Sequence, residues 1–275
     1  MADFNVLMYW IAFLYGLMFG SFFNVCIFRI PKGLSIVSPK SHCLQCGFTI
    51  PWFLNVPILS YLFLHGKCAG CKSRISWVYP GVELLTGLLA FAIFWHFSSL
   101  DFWDWMIRSV IYFVFFGSLL IASFIDLRYL IIPDRFTIGG TFTGVLISTI
   151  YPALHAFGTW QEGFVYSSVS AFICYAVLGS IRILGSYAYG REAMGYGDVK
   201  LMGALGAFLG WKLGLLSVFF AAVLGSVFGI AQMLISKKHL RTEIPFGPYL
   251  ALGALSSIFF GKYVFLWYSQ FLIFY

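Results

Sequence analysis

The sequence predicts an all-α polytopic membrane protein, with about eight transmembrane helices and a small cysteine-bearing insertion after the first helix. The chain of 275 residues is 61% hydrophobic and only 10% charged, and its mean hydropathy is +0.90. Soluble domains are roughly 45–50% apolar and about 25% charged, so lipid must solvate much of this chain. Its apolar residues form runs of about 20, the length at which a helix crosses the hydrocarbon core.

Eight apolar runs are predicted to span the membrane. They cover residues 5–28, 80–98, 106–125, 131–152, 163–184, 199–211, 213–235 and 247–272. Residues 1–20 contain no Lys or Arg, so we expect a retained first helix and not a cleavable signal peptide. The sixth run is short, its glycine-rich part is Leu201 to Gly210, and only Trp211 and Lys212 lie between that part and the seventh run.

The distribution of Lys and Arg predicts the orientation of these spans. With the N terminus outside, the cytosolic segments are 29–79, 126–135, 182–200 and 236–246. They hold 14 of the 17 basic residues, against Arg108, Lys212 and Lys262 on the other side. This excess on one side is the positive-inside pattern, and it favours eight spans with both termini outside. Without the sixth span, the basic cluster from Lys237 to Arg241 would lie outside, which the rule disfavours.

The domain boundaries follow from this organisation. We predict a first transmembrane helix at 1–28, a cytosolic cysteine domain at 29–79 and a membrane-embedded domain at 80–275. The cysteine domain is too short to build an adequate hydrophobic core of its own. The net charge of +7 is spread over the polar breaks and forms no single basic stripe. We therefore expect the lipid bilayer as a partner, and no nucleic acid.

Two CxxC pairs lie in the insertion, Cys43 with Cys46 and Cys68 with Cys71, and 21 residues separate them. Four thiolates on two short loops can complete a tetrahedral zinc site, which would be structural because no position is left for water. The insertion would then be zinc-ribbon-like. Two disulfides or unligated thiols are the alternatives, and the reducing cytosol disfavours the disulfides.

Six of the ten Asp and Glu residues lie in outside segments or cytosolic loops and are expected to be solvated, which leaves Glu83, Asp126, Asp134 and Asp198. Asp126 ends the third span and Asp198 begins the sixth, so the predicted topology puts both at the cytosolic side. An acidic residue there is costly unless it is paired or functional. Asp134, after Pro133, is predicted to be a turn or cap residue that begins the fourth span, and it is the reserve candidate for a catalytic aspartate. Glu83, about one turn into the second span, is expected to make a polar contact at the membrane junction.

Asp126 and Asp198 suit aspartyl protease chemistry if they meet. Two carboxylates held within a few ångströms share a proton, so that one can activate water while the other polarises a carbonyl group. Gly195 and Gly197 free the backbone for an extended peptide beside Asp198, and its helix N terminus favours the charged form. The residues alone leave two other roles open: an ion pair with Arg128 for Asp126, and an N-cap for Asp198.

Six motifs resemble, in order, those of the type IV prepilin peptidases, a family of GxGD membrane aspartyl proteases. They are GSFFNVCIFRIP at 20–31, NVPILSYLFLHGKC at 55–68, YPGVE at 79–83, IDLRYLIIPD at 125–134, GYGDVKL at 195–201 and PFGPYL at 245–250. The GxGD motif alone is weakly specific, whereas six motifs in order over nearly the whole chain are highly specific.

The resemblance implies a bifunctional enzyme of the bacterial inner membrane that serves type IV pili, type II secretion or competence. It would cleave the short basic leader of prepilins or pseudopilins after a glycine on the cytosolic side, with Asp126 and Asp198 as catalytic residues. It would then methylate the new N-terminal residue with S-adenosylmethionine. The four CxxC cysteines would bind zinc, and Gly66 with Lys67 resembles a segment that the family links to methylation.

Three other functions compete with this one. In a transporter or channel, Asp126 and Asp198 would bind a cation or relay protons, which predicts charges or broken helices near the bilayer midplane. An intramembrane protease of the presenilin type shares GxGD but lacks the double CxxC insertion. A zinc-bearing assembly subunit without activity would need neither aspartate.

Overall fold

The computed structural model describes residues 2–43, 45–192, 194–236 and 245–273, so the basic cluster 237–241 lies outside the described residues. The α-helices in these ranges are α1 (Ala2–Arg29), α2 (Leu59–Phe63), α3 (Val78–Phe97), α4 (Phe102–Tyr129), α5 (Asp134–Ile150), α6 (Trp160–Tyr189), α7 (Tyr196–Ser236) and α8 (Gly247–Ile273). The β pairing among them is limited to two isolated bridges. The all-α class is therefore confirmed.

The described helices agree with the predicted membrane spans. Six are long and apolar enough to cross a membrane: Asp3–Lys32, Val78–Phe97, Phe102–Tyr129, Trp160–Tyr189, Tyr196–Gln232 and Gly247–Gln270. Helix α5 has 17 residues, so it is about 25 Å long, slightly less than the hydrocarbon core of roughly 30 Å. Since α7 is divided in two, each of the eight predicted runs corresponds to one helical segment.

Helix α7 consists of two helices that fold back on each other. Gly210 interrupts it with φ 76° and ψ 163°, a conformation that is open almost only to glycine. A Cβ atom on Gly214 would lie 3.5 Å from Cα of Gly206, whereas a straight helix would separate these residues by about 12 Å. The chain therefore reverses at Gly210, one residue before the predicted turn. The predicted sixth and seventh spans are the two arms of a hairpin, at 196–209 and 211–236.

The turn of this hairpin lies among polar side chains. The carbonyl oxygen of Ala207 accepts hydrogen bonds from the hydroxyls of Ser167 at 2.9 Å and Ser148 at 3.4 Å, and Nε2 of His155 lies 3.2 Å from it. The break at Gly210 removes helical partners from the last carbonyl groups of the first arm. Unpaired carbonyl groups are costly in lipid, so these side chains stabilise the reversal.

The chain divides into two compact units, Met1–Ile121 and Ala122–Tyr275. In the first unit, α1 and α3 approach closely at Gly20, which leaves no room for a side chain. A Cβ atom on Gly20 would lie only 2.6 Å from Cα of Glu83. In the second unit, the first arm of α7 is almost completely buried. Helix α5 packs on it where Gly144 meets Ala207, and α6 packs on it where Gly206 meets Ala171.

We expect Gly210→Ala to lower the free energy of unfolding by about 1–3 kcal/mol, because alanine is strained in this conformation. The added Cβ atom would also lie 2.6 Å from the hydroxyl oxygen of Tyr166. Gly158→Ala is the matched control, since its Cβ atom would meet nothing within 4 Å. Denaturant unfolding in detergent measures both variants. Equal stability of the two would contradict the reversal at Gly210.

Candidate active site and metal centre

The four CxxC cysteines converge on one point in the first unit. Their Sγ atoms all lie within 4.8 Å of one another, with 3.9 Å between Cys43 and Cys71 and 3.9 Å between Cys46 and Cys68. A tetrahedral zinc ion with Zn–S bonds of about 2.3 Å places its sulfur atoms about 3.8 Å apart. A disulfide needs about 2.05 Å, and all four thiols are free. The four residues therefore fit a tetrahedral metal ion.

Two equivalent turns present these thiols. The backbone N–H groups of Cys43 and Cys68 donate to the carbonyl oxygen five residues further on, at 2.9 and 2.8 Å. Gly47 (φ 70°) and Lys72 (φ 60°) then occupy the same left-handed position in each turn. Hydrogen bonds from the backbone N–H groups of Cys46 and Gln45 lower the pKa of Cys43 to about 6, whereas desolvation and the neighbouring thiols raise that of Cys46 to about 11.

Gly66 and Lys67 precede the second of these turns. Gly66 is buried with φ 67°, and a Cβ atom on it would lie 2.8 Å from the hydroxyl oxygen of Tyr61. Its carbonyl oxygen accepts the N–H of Ile75 at 2.7 Å. Gly66 therefore has a packing role and offers no open surface to a nucleotide, whereas the side chain of Lys67 is exposed beside it.

Asp126 and Asp198 come together in the second unit. Asp126 lies in the last turns of α4 and Asp198 in the first turn of α7, and their side chains are 6% and 7% exposed. They are near enough for the charge of Asp126 to act on Asp198. The N–H of Gly247, the first residue of α8, donates to Oδ2 of Asp126 at 3.1 Å. Oδ1 of Asp198 is buried and has no hydrogen-bond partner among the described residues.

The side chain of Ile132 packs against two glycines at this site, Gly197 and Gly247. Its Cβ atom lies 3.3 Å from the position of a Cβ atom on Gly197, and its Cδ1 atom lies 3.1 Å from that on Gly247. The loop after α4 therefore packs against the starts of both α7 and α8. A Cβ atom at either glycine would crowd Ile132, so this loop would have to shift by a few tenths of an ångström.

An ion pair and a cation–π cluster hold the GxGD turn from two sides. Nζ of Lys200 lies 2.8 Å from Oδ1 of Asp134, which begins α5 as the sequence predicts. Cζ of Arg182 and Nζ of Lys200 lie 5.4 and 5.1 Å from the ring centroid of Tyr196. Nε of Arg182 donates to the carbonyl oxygen of Met194 at 3.0 Å. These contacts fix the backbone that carries Asp198.

Three of these residues have site contacts that the sequence did not predict. Lys200 and Gly247 lie inside two of the quoted motifs, 195–201 and 245–250, so their motif positions were the available signal. Arg182 lies outside every quoted motif and was counted only as an orientation signal. Its contact with Met194 depends on the fold alone.

Two family models match this chain, one for each part of it. The Bacterial Peptidase A24 N-terminal domain matches residues 14–97, and the Type IV leader peptidase family matches residues 113–230. A protein of Aeromonas salmonicida (strain A449) is 32% identical in an alignment that covers 94% of this chain and 92% of that relative. The chain belongs to the type IV leader peptidase family. The resemblance of its motifs is thereby confirmed.

Other relatives in this leader peptidase family agree with that assignment. A Bacillus subtilis (strain 168) protein is 32% identical over 94% of this chain and 97% of its own length. A Myxococcus xanthus (strain DK1622) protein is 37% identical over 84% of this chain and 65% of its own length. All three relatives are named prepilin leader peptidase/N-methyltransferase. No solved structure matches the chain. The chain is thus a bacterial membrane enzyme, a peptidase with methyltransferase activity.

We expect the purified protein to carry about one zinc ion per chain, because its four sulfur atoms already have ligand spacing. Cys46→Ala removes one ligand and should lower the zinc content, whereas Cys26→Ala changes a buried cysteine outside the cluster and should not. Mass spectrometry of protein purified without chelators measures the metal. A wild-type protein without zinc would refute the site.

Proposed function

We propose that this enzyme cleaves the leader of type IV prepilins or pseudopilins after a glycine, at the cytosolic side of the bacterial inner membrane. Asp126 and Asp198 form its catalytic pair, and S-adenosylmethionine is its methyl donor for the new N-terminal residue. The observation that carries the proposal is the convergence of two buried aspartates from separate helices, since Ile132 packs both on Gly197, next to Asp198, and on Gly247, whose N–H binds Asp126. The names of the relatives support the substrate class.

The hydrogen bonds of the pair support different roles for its two members. Asp126 accepts an N–H at the N terminus of α8, where backbone donors and the helix dipole favour negative charge. Oδ1 of Asp198 has no described partner, so a proton there would give this oxygen a donor to share with a water or substrate. We therefore assign the charge to Asp126 and the shared proton to Asp198. This reverses the expectation from the helix position of Asp198 alone.

Hydrolysis then needs no covalent intermediate. Asp126 takes a proton from a water molecule as the water oxygen attacks the scissile carbonyl carbon. Asp198 donates a hydrogen bond to the carbonyl oxygen, where negative charge develops. When the tetrahedral intermediate collapses, the C–N bond breaks and the leaving amine takes the proton from Asp126. Gly195, whose Cβ atom would lie 3.2 Å from Oδ2 of Asp198, leaves room for the extended substrate beside this carboxyl.

The position of the pair along the helices favours catalysis over ion transport. Asp126 lies near the end of α4 and Asp198 at the start of α7, so both belong to the edge of the apolar spans. A transport site at the bilayer midplane would need acidic groups nearer to the middle of these helices. The excess of basic residues on one side supports the cytosolic location of this edge.

The methylation half of the proposal concerns the cysteine domain. S-adenosylmethionine supplies an electrophilic methyl group when it is bound. We propose that the exposed ammonium of Lys67 contributes to this step and that Gly66 shapes the turn which presents it. The zinc ion would stabilise the two turns and take no part in the chemistry, because four cysteines leave no open position on it.

Asp126→Asn and Asp198→Asn should each slow leader cleavage by roughly 10²–10⁴-fold, the usual contribution of general acid–base catalysis. The assay incubates purified protein in detergent with a prepilin and follows the loss of the leader. Asp101→Asn, at an exposed position in the first unit, is the control. Full activity in either aspartate variant would refute the assignment of Asp126 and Asp198 as the catalytic pair. Labelled S-adenosylmethionine in the wild-type reaction tests the methyltransferase activity. A cleaved pilin without label would refute the proposal that this enzyme methylates the new N-terminal residue.

Gly247→Ala should reduce the rate of cleavage with little change in melting temperature. Its Cβ atom would lie 2.8 Å from Oδ2 of Asp126 and 3.1 Å from Cδ1 of Ile132, so the carboxylate has to move. A displacement of about 1 Å at a catalytic group can cost on the order of 10²-fold in rate. Gly158→Ala again serves as the control. A wild-type rate in Gly247→Ala would show that the Asp126 contact does not position the carboxylate for catalysis.

A further inference from the structure

The one-turn helix α2 in the cysteine domain has an uncovered apolar face. Leu59, Leu62 and Phe63 have the spacing i, i+3 and i+4, so they share one side of the helix. They are 52%, 59% and 79% exposed. On another side, Tyr61 packs its ring on Gly66 and lies 5.0 Å from the ring of Trp77. The domain therefore holds α2 by Tyr61 and leaves its leucine and phenylalanine side chains outside its own packing.

Two contacts fix the level of α2 along the membrane-spanning helix α3. The N–H of Ile58, which precedes α2, donates to Oε2 of Glu83 at 2.8 Å. Glu83 lies about 7.5 Å along the axis from Val78, where α3 begins, and its side chain leans back towards that end. Tyr61 contacts Trp77, the residue before α3. Helix α2 therefore lies alongside the first turns of α3.

Backbone strain at Ile58 indicates that this position is held firmly. Ile58 has φ 59° and ψ −50°, a conformation that is rare for a residue with a branched Cβ atom. Strained residues persist only where their surroundings determine them. The buried carboxylate of Glu83 supplies that restraint, since it accepts the N–H that the strained turn presents. This is the polar contact at the membrane junction that the sequence predicts for Glu83.

The level of α2 is that of the membrane interface. Helix α3 has 20 residues, a length of about 30 Å that matches the hydrocarbon core. Its first turns therefore lie at the edge of the core, where interfacial helices bury their apolar faces about 5–10 Å deep. The exposed indole of Trp77 suits the same level. At this depth the uncovered face of α2 meets lipid and not water.

The charge of the domain suits an anionic leaflet. Residues 29–79 contain no Asp or Glu. Their basic residues are Arg29, Lys32, Lys40, Lys67, Lys72 and Arg74, and all except Arg29 are exposed. Exposed basic groups beside a membrane-spanning helix attract acidic lipid headgroups.

We propose that α2 is an interfacial segment, in which Leu59, Leu62 and Phe63 insert among the lipid acyl chains while the exposed Lys and Arg side chains bind anionic headgroups. The occupant of the uncovered face is lipid. This role depends on neither the catalytic pair nor the methyl donor, so it stands or falls separately from the proposed function.

Photo-crosslinking of the full chain in vesicles tests the proposal. The photoreactive residue p-benzoylphenylalanine replaces Phe63 in one variant and Val37 in the other, in vesicles of phosphatidylethanolamine and phosphatidylglycerol. Val37 is a matched control because it lies in the same domain and is 85% exposed. We expect at least about tenfold more lipid adduct at position 63 than at position 37. Asn24 of α1 lies level with Tyr79 near the start of α3, and α1 continues about 7.5 Å further to Arg29 before the loop that carries Val37. Intact-mass spectrometry identifies the adduct.

Other outcomes of the crosslinking would overturn the proposal. A crosslink at position 63 to a second copy of the chain would show that the face is a protein interface. Equal amounts of lipid adduct at both positions would show that position 63 lies no deeper in the membrane than position 37. Replacing phosphatidylglycerol with phosphatidylcholine should lower the adduct yield. An unchanged yield would show that anionic headgroups do not contribute to binding. The melting temperature of each variant, compared with that of the wild type, checks that the chain stays folded.

A second measurement avoids the bulky photoreactive group. Trifluoromethylphenylalanine at position 63 or 37 gives one fluorine resonance in the full chain. A water-soluble nickel chelate should broaden the resonance at position 37 strongly and the one at position 63 weakly, because lipid shields the latter. Equal broadening at both positions would show that α2 lies in water.

Discussion

The need to pair every backbone polar group inside lipid determines the architecture of the second unit. The first arm of α7, at 196–209, is about 21 Å long and cannot cross the hydrocarbon core. Its far end therefore stops within the protein, where Ser148, Ser167 and His155 surround the carbonyl oxygen of Ala207. Because both ends of so short a helix are fixed, the position of Asp198 at its start is fixed as well.

The same enclosure explains how a second carboxylate can lie next to Asp198. The loop after α4 approaches the starts of α7 and α8 through Ile132, which packs where Gly197 and Gly247 have no side chains. The N–H of Gly247 then holds Asp126. Backbone and small residues thus build the site, and the glycines serve packing at least as much as substrate access. Burial of two carboxylates is unfavourable by itself, so a rigid surround is needed to keep them together.

The sequence predicted the helices well because each spanning helix leaves a local signal, a run of apolar residues between polar breaks. The weakest of them, the sixth, was still a helix, but its turn lies at Gly210 and not at Trp211 and Lys212. The turn was misplaced by one residue because it requires φ 76° at Gly210, and hydropathy carries no information on backbone angles. The second cysteine turn shows the same limit, because Lys72 and not a glycine takes its left-handed conformation.

The candidate site was predicted in part, for a related reason. Motifs identified Asp126 and Asp198, but spacing along the chain cannot tell which distant groups touch. The contacts of Asp134 with Lys200 and of Gly247 with Asp126 join segments far apart in sequence, and that of Arg182 with Met194 joins α6 to the loop after it. Local patterns give such residues a helix position or a charge, and only the packed helices give them a partner.

The cysteine domain solves a different problem, which is stability without a core. Its many exposed aromatic and aliphatic side chains cannot bury one another in so short a chain. Four cysteines at metal spacing fix the two turns, and Glu83 ties the strained turn at Ile58 to α3. Neither device covers Leu59, Leu62 and Phe63. If water covered them, the domain would expose a large apolar face at a cost that a structural metal does not remove. A leaflet beside α3 removes that cost, so the membrane completes the fold of this domain as well as that of the spanning helices.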